Sequence, residues 1–301
     1  MSDEQLQMMH RRTGLRPAQV RRMLYSHYAP TAFPSLLQPA HKVWQASEPW
    51  ARREHSTACP LRLRASQGRW LLSWRLKWTF LCPDALVYLV NRCPRCGMQL
   101  YWRPSATNAQ QRTFCTQPLN PPRTGPWPRG LPRCGFPMEE LPVVPVEDEE
   151  AVHVQRRIDG LLAPADDASN IRAREALRDL DALVRVIGVV GSRAHADGME
   201  DAVSRALLDG RSRAHRAGYA WMFSRGEPLA ISVMVRIAAR VLRVEDCVAG
   251  AAWFRERAEG FQLRPLSDAR LAARDYPRLA ALFPEEPLPS RKANRQRDQA
   301  V

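Results

Sequence analysis

One short run constrains this chain more than any other: Cys93-Pro94-Arg95-Cys96-Gly97. Two thiolates with two residues between them can grip one metal ion, while the glycine lets the chain turn sharply beneath them. Cys115 follows after 18 residues and Cys134 after 18 more, again with a glycine behind it, Gly135. No histidine lies between His55 and His153. A tetrahedral site closed within this stretch therefore has to be all cysteine, and four thiolates make a closed structural zinc site with no open position for catalysis. The competing reading is a set of reduced, unliganded thiols in a Pro-rich region, because the second pair is split rather than repeated as C-x-x-C.

The length of 301 residues suffices for two or three compact units, and 45% apolar with 25% charged residues is a globular composition with no apolar run long enough to cross a membrane. Met1-Ser2-Asp3-Glu4 is polar and acidic, unlike a signal peptide. The expected compartment is the cytoplasm, where metal ligation explains seven cysteines better than disulfides do.

The net charge of +14 is unevenly placed: residues 1–136 hold 20 Lys and Arg against 5 Asp and Glu, and residues 137–301 hold 25 against 26, so the halves carry +15 and −1. All of the excess lies in the half with the cysteine run. Such asymmetry favours a polyanionic partner, since each neutralised phosphate releases condensed counterions. Lysine occurs only at Lys42, Lys77 and Lys292; the rest is arginine, which suits phosphate forks, although a GC-rich genome also favours it.

Residues 2–25 pattern as two short helices about a turn. Ser2 and Gln5 are spaced as a capping box, Leu6, Met9 and His10 form a stripe, and Thr13-Gly14 breaks the helix. Pro17 suits a helix start, with Val20, Met23 and Leu24 as the second apolar face. In a DNA-binding helix-turn-helix, Gln19, Arg21 and Arg22 would face the groove; a plain packing hairpin has the same outline.

Residues 26–58 are broken by Pro30, Pro34, Pro39 and Pro49 and read as a wrapped connection anchored by Trp44 and Trp50. Between 68 and 81, Trp70, Leu72, Trp74, Leu76, Trp78 and Phe80 alternate with Arg69, Ser73, Arg75, Lys77 and Thr79, as in a half-buried strand with a basic outer face. Trp70, Trp74 and Trp78 also stand at i, i+4, i+8 and would line a helix equally well. On either pattern the tryptophans are core rather than a base-stacking platform, because they share a parity with leucines. Cys59-Pro60 and Cys82-Pro83 bracket this segment, but the positions three residues on are Arg62 and Ala85, which do not bind zinc. Buried free thiols are the ordinary alternative.

From Phe136 to Pro145 the chain is proline-rich, and Glu147-Asp148-Glu149-Glu150 follows, a linker whose acids suit the start of the next helix. Val152, Ile158, Leu161 and Leu162 mark one helix, and Leu177, Leu180, Val184 and Ile187 another, ending near Gly188 and Gly191. Further helices are expected at 198–209, 228–242, 246–258 and 266–282, and residues 284–301 as a disordered tail.

Read together, Gly68-Arg69-Trp70, Trp74-Arg75-Leu76, Cys82-Pro83 and Asn91-Arg92-Cys93-Pro94-Arg95-Cys96-Gly97 resemble the TniQ family of transposition accessory proteins. The family pattern is C-P-x-C, a Trp- and Arg-containing stretch, C-P-x-H, a short apolar run and C-P-x-C-G; Leu86 to Val90 supply the run, Cys115 and Cys134 resemble the second half-site, and residues 12–25 the N-terminal helical pair. The resemblance spans residues 5–136. It implies a non-catalytic DNA-binding adaptor that helps choose a transposon's target site beside a separate ATPase and transposase, with zinc modules that hold the fold. Against that pattern the chain starts late, and Arg62 and Ala85 replace a cysteine and a histidine, so Cys59 and Cys82 are left as a degenerate first site.

The expected architecture is mainly α with a small zinc-ribbon-like segment: a helix-turn-helix-like pair and wrapped connection (1–58), a TniQ-like zinc module (59–136), a Pro-rich and acidic linker (137–150), an all-helical domain (151–283) and a tail. One structural Zn2+ is expected on Cys93, Cys96, Cys115 and Cys134, and DNA contact through Gln19, Arg21, Arg22, Arg69, Arg75 and Lys77. The expected partners are DNA and the transposition ATPase and transposase, with no membrane and no small-molecule substrate. A zinc-ribbon HNH-type nuclease needs histidines near the cysteines, and residues 56–152 contain none. No G-x-x-x-x-G-K-[ST] loop suggests ATP hydrolysis, and His195, His215 and Asp197 read as surface residues rather than a site. A zinc-stabilised transcription regulator using the same helical pair, or a non-functional remnant of the family, remain the alternatives.

Overall fold

The structure is a computed structural model and describes residues 3–32, 55–100, 113–119, 131–190, 196–199, 205, 227–243 and 247–257. Two expected helices, 198–209 and 266–282, fall almost wholly outside the described residues, as do Trp44, Trp50, His195, His215 and the tail.

Helix α1 (Asp3–Thr13) ends where Gly14, at φ +70°, turns the chain and donates its N–H to His10 O at 2.8 Å. Helix α2 (Pro17–Arg22) opens on Pro17, and Gln19 Oε1 accepts the Arg16 N–H at 2.8 Å. Leu6 and Val20 are the buried apolar residues of the pair, whereas Met9 and Met23, expected on its apolar faces, are exposed. The second helix has only six residues and closes at Met23, too short to carry that residue round to its inner face. A 3-10 turn, Tyr25–Tyr28, then leads Tyr25 and Ala32 into the main core, and the Thr31 hydroxyl donates to Leu162 O at 2.9 Å.

After α3 (Pro60–Ala65), residues 68–81 adopt neither of the regular forms their spacing allows. Leu72–Arg75 form a 3-10 turn, a second turn follows in which Thr79 N–H donates to Leu76 O at 3.3 Å, and β1 (Leu81–Cys82) begins beyond it. β1 pairs antiparallel with β2 (Val87–Tyr88), and β2 with β3 (Val144–Pro145), in register Leu81↔Tyr88, Cys82↔Val87, Val87↔Pro145 and Tyr88↔Val144. Two apolar clusters lie on either side. Leu81 and Tyr88 belong to the larger, which continues into the helices; Cys82, Val87 and Leu89 belong to the smaller, with the other central cysteines. This is strand alternation with a core on each face. The tryptophan stretch is shared between the same two cores, though not by alternation: Trp74 enters the small cluster, Leu76, Trp78 and Phe80 the large one, and Arg75 and Thr79 are buried as well. A segment threaded between two cores has no basic outer face.

The remaining elements are α4 (Glu149–Leu162), α5 (Asp167–Val190), α6 (Pro228–Arg243) and α7 (Cys247–Arg257), so the chain is mainly helical. Helix α6 is buried almost all round, as its apolar run Ile231 to Ala239 requires. Arg236 sits within that run at 0% exposure, an arrangement that needs a counter-ion. Asp148 and Glu150 supply it, and Glu150 also binds Arg240 at 2.8 Å. The acidic run expected in a linker thus caps α4, where Asp148 Oδ1 accepts the Glu150 N–H, and neutralises α6. Upstream of it Met138 and Leu141 are buried in the small cluster and Val144 pairs in the sheet, so residues 137–150 are packed rather than free. Tyr25, Trp78, Tyr88, Val154, Leu183 and Val235 share one core across the expected boundaries at 58 and 150.

Candidate metal centre

The first half of the centre is a tight turn. Residues Arg92 and Gln99 form a bridge, Cys93 N–H donates to Met98 O at 2.9 Å, and Gly97, at φ +68°, donates back to Cys93 O at 2.9 Å. The second half solves the problem of two cysteines 18 residues apart. Bridges Phe114↔Pro137 and Pro118↔Arg133 zip the two segments antiparallel, and Cys115 N–H to Phe136 O and Cys134 N–H to Gln117 O, both 2.8 Å, set the thiols side by side. Gly135, at φ +65°, closes this turn as Gly97 closes the other.

All four sulfurs lie within 4.8 Å of one another, with Cys93 Sγ 3.6 Å from Cys134 Sγ and Cys96 Sγ 3.7 Å from Cys115 Sγ. A disulfide is about 2.05 Å long, so none is formed; all four are free thiols. Tetrahedral Zn–S bonds of about 2.3 Å place sulfurs about 3.8 Å apart, close to both short separations. Among the described residues this is the one group of three or more His, Cys, Asp or Glu side chains that could hold a metal ion.

Electrostatics point the same way. Burial pushes the Cys96 thiol up to about 11 and Cys115 higher still. At Cys93 burial also raises, but the N–H groups of Cys96 and Arg95 aimed at its sulfur outweigh it, and the thiol is lowered. The N–H groups of Met98 and Gln117 are directed in the same way at Cys96 and Cys115. Four buried thiolates need a cation among them; the backbone donors are laid out for charged sulfur.

Three arginines brace the loops by donating to backbone carbonyls: Arg92 to Gly97 O at 3.0 Å, Arg95 to Cys134 O at 2.9 Å and Arg133 to Thr116 O at 2.8 Å. Arg95 ties one half of the centre to the other. In the sequence Arg92 and Arg95 stand within the run that carries the family resemblance and Arg133 is part of the basic charge; the signal for all three as braces is position, each within or beside a cysteine turn.

Cys59 and Cys82 are buried, the Cys59 sulfur accepts the Arg62 N–H at 3.4 Å, and the Arg62 guanidinium forms an ion pair with Asp84. Of the residues expected at DNA, Gln19, Arg21 and Arg22 are exposed together on α2, with the Gln19 oxygen engaged in the helix cap; Arg69 is exposed and Lys77 half-buried. Arg75 is a correction. It is 8% exposed, with its guanidinium 5.4 Å from the centroid of the Tyr25 ring, because the residues flanking it enter opposite cores.

The fold and site define a mainly helical, basic-headed protein built about a buried four-cysteine cluster. The TniQ family model matches residues 1–85, which supports a TniQ family protein and suggests a transposition-associated accessory protein. The match begins at residue 1 and stops at 85, taking in α1 to β1 and ending before the four-cysteine cluster, whereas the resemblance was drawn over 5–136. Searches of the curated proteins and of the solved structures found no match.

Proposed function

We propose that this chain is a zinc-stabilised DNA-binding adaptor that assists target-site selection in transposition, working beside a separate ATPase and transposase. The family match over residues 1–85 carries the reading. The charge distribution supports it: the matched residues 1–85 hold 13 Lys and Arg against 5 Asp and Glu, and Arg11, Arg12, Arg16, Arg21 and Arg22 are exposed along α1 and α2, with no acid in α2. Arg21, Arg22, the Gln19 amide, Arg69 and Lys77 are the residues assigned to DNA. Zn2+ would be held by Cys93, Cys96, Cys115 and Cys134 and would contribute folding energy alone, since four protein ligands leave no position for substrate.

One purified preparation tests both parts. Elemental analysis should give one zinc per chain, lost in Cys96→Ala together with the cooperative melting of residues 81–141. Duplex DNA should bind with log K falling linearly in log salt, and Arg21→Ala with Arg22→Ala should make that slope shallower by about two. A Cys96→Ala protein that keeps its metal refutes the site. Absent or salt-insensitive DNA binding refutes the interface.

A further inference from the structure

Between Asp84 and Glu139 the chain carries seven arginines and no acid. Four thiolates with one Zn2+ sum to −2, which leaves this stretch at +5 even with its metal bound. Arg92 turns toward the helices and meets Glu227 at 3.9 Å. A unit that served folding alone would gain nothing from the rest of that charge, which repels itself.

The ribbon that brings Cys115 beside Cys134 gives the charge a face. Along its first arm Cys115 and Gln117 are buried, while Phe114, Thr116 and Pro118 turn the other way. The bridges Phe114↔Pro137 and Pro118↔Arg133 add Pro137 and Arg133 to that outer side, because residues directly opposite in an antiparallel pair share a face. Arg133 is exposed and lies along the ribbon, one of its five donors spent on Thr116 O. Phe114, 47% exposed, is the one exposed Phe, Tyr or Trp among the described residues. Just before it Thr113 abuts Gly68, since a Cβ on that glycine would meet Thr113 Cγ2 at 2.6 Å, so the exposed Arg69 stands at the Phe114 end of the ribbon. The ring is flanked by a cation on each side, with Arg133 about 13 Å away along the ribbon.

We infer that this outer face binds single-stranded DNA, with a base stacked on the Phe114 ring and phosphates taken by Arg69 and Arg133. In a duplex the base faces are covered by their stacked neighbours, so contact between a ring and a base selects an unpaired strand. Pro118 and Pro137 beside the ring carry no N–H, and a face of this kind makes no provision for a 2′-hydroxyl. The choice of DNA over RNA also rests on the reading of α1 and α2 as a DNA contact. Cys115 and Cys134 lie on the buried side, so metal and DNA occupy opposite sides of one ribbon.

The test uses the full, zinc-loaded chain and a fluorescent oligothymidylate, with affinity read from anisotropy. Phe114→Leu keeps an apolar side chain and removes the ring; it should weaken binding about tenfold, whereas Phe114→Trp should bind as tightly as the parent. On an abasic strand with the same phosphates Phe114→Leu should change nothing. Arg69→Gln and Arg133→Gln should each make the salt slope shallower by about 0.7. Arg69 lies outside the cysteine turns, so its variant keeps the charge test in force if Arg133→Gln sheds zinc. Blunt duplex is titrated separately: a failure there counts against the helical pair, and Phe114→Leu should leave duplex binding as it was. No binding of the oligothymidylate, an equal effect of Phe114→Leu on the base-bearing and abasic strands, or tighter binding of oligouridylate overturns the proposal.

Discussion

Gly68 is held at φ +83°, and a Cβ added there would meet Thr113 Cγ2 at 2.6 Å. Gly68→Ala should therefore destabilise the chain by about 1–3 kcal/mol, through backbone strain and contact together. Adding Thr113→Ser removes the opposing methyl, so thermal melting of the double variant should recover the contact part and leave the strain. The glycine was visible in the sequence as the start of the Gly-Arg-Trp run, but Thr113 lies 45 positions away and nothing in the pattern joins them. The ligand cysteines were legible for the opposite reason. Metal chemistry restricts which residues can serve, so residue type and spacing alone were enough to pick out Cys93, Cys96, Cys115 and Cys134 as one group, and their sulfurs converge. Arg75 was not legible, because arginine at a surface parity looks the same in sequence whether it meets water or the face of Tyr25.

At the scale of elements, α4 docks on the extended segment ahead of β1 through one polar side chain. Gln155 Oε1 accepts the N–H groups of Phe80 at 3.0 Å and Leu81 at 3.4 Å, and its Nε2 donates to Asp159 at 2.9 Å. Burial raises Asp159 to about 6, with Asp84 and Cys82 adding to the rise and Gln155 opposing it. The unfolded carboxyl titrates near 4, so the folded state favours its neutral form: the stabilising contribution is complete below about pH 4 and lost as pH rises through 6. Asp159→Asn keeps an oxygen for Gln155 and removes the charge. It should raise stability by about 1–2 kcal/mol at pH 7.5, with the gain shrinking to nothing by pH 4, as read from urea melts at the two values. The helices α4, α5 and α6 were legible from apolar spacing, whereas α7 has no one-sided apolar stripe. Residues 68–81 were not. Their period-two and i, i+4 patterns both come from tertiary burial on two sides, which overrides local preference.

For the whole molecule, composition suggested boundaries that packing does not follow. Proline and acid runs look like linkers when nothing is known of their contacts, yet residues 137–150 supply a sheet strand, two apolar side chains to the small core and the carboxylates that make Arg236 tolerable inside α6. No helix among the described residues is long and apolar enough to cross a membrane. Charge asymmetry, by contrast, survives folding unchanged, because exposed arginines on α1 and α2 owe nothing to the core.

The small sheet works as a party wall between two rooms. Leu81 and Tyr88 furnish one side, Cys82 and Val87 the other, and among the described residues only the second room contains the four cysteines that could hold a metal ion. Stripping the ion with a chelator would empty that room while its neighbour, roofed by α4, α5 and α6, stays shut. Amide exchange should then quicken at Cys93, Leu100, Cys115 and Cys134 and stay slow at Leu183, Met234 and Ile237. Such a protein would keep most of its helical signal after losing its metal, so circular dichroism alone would report an intact molecule where one of its two compartments had already come apart.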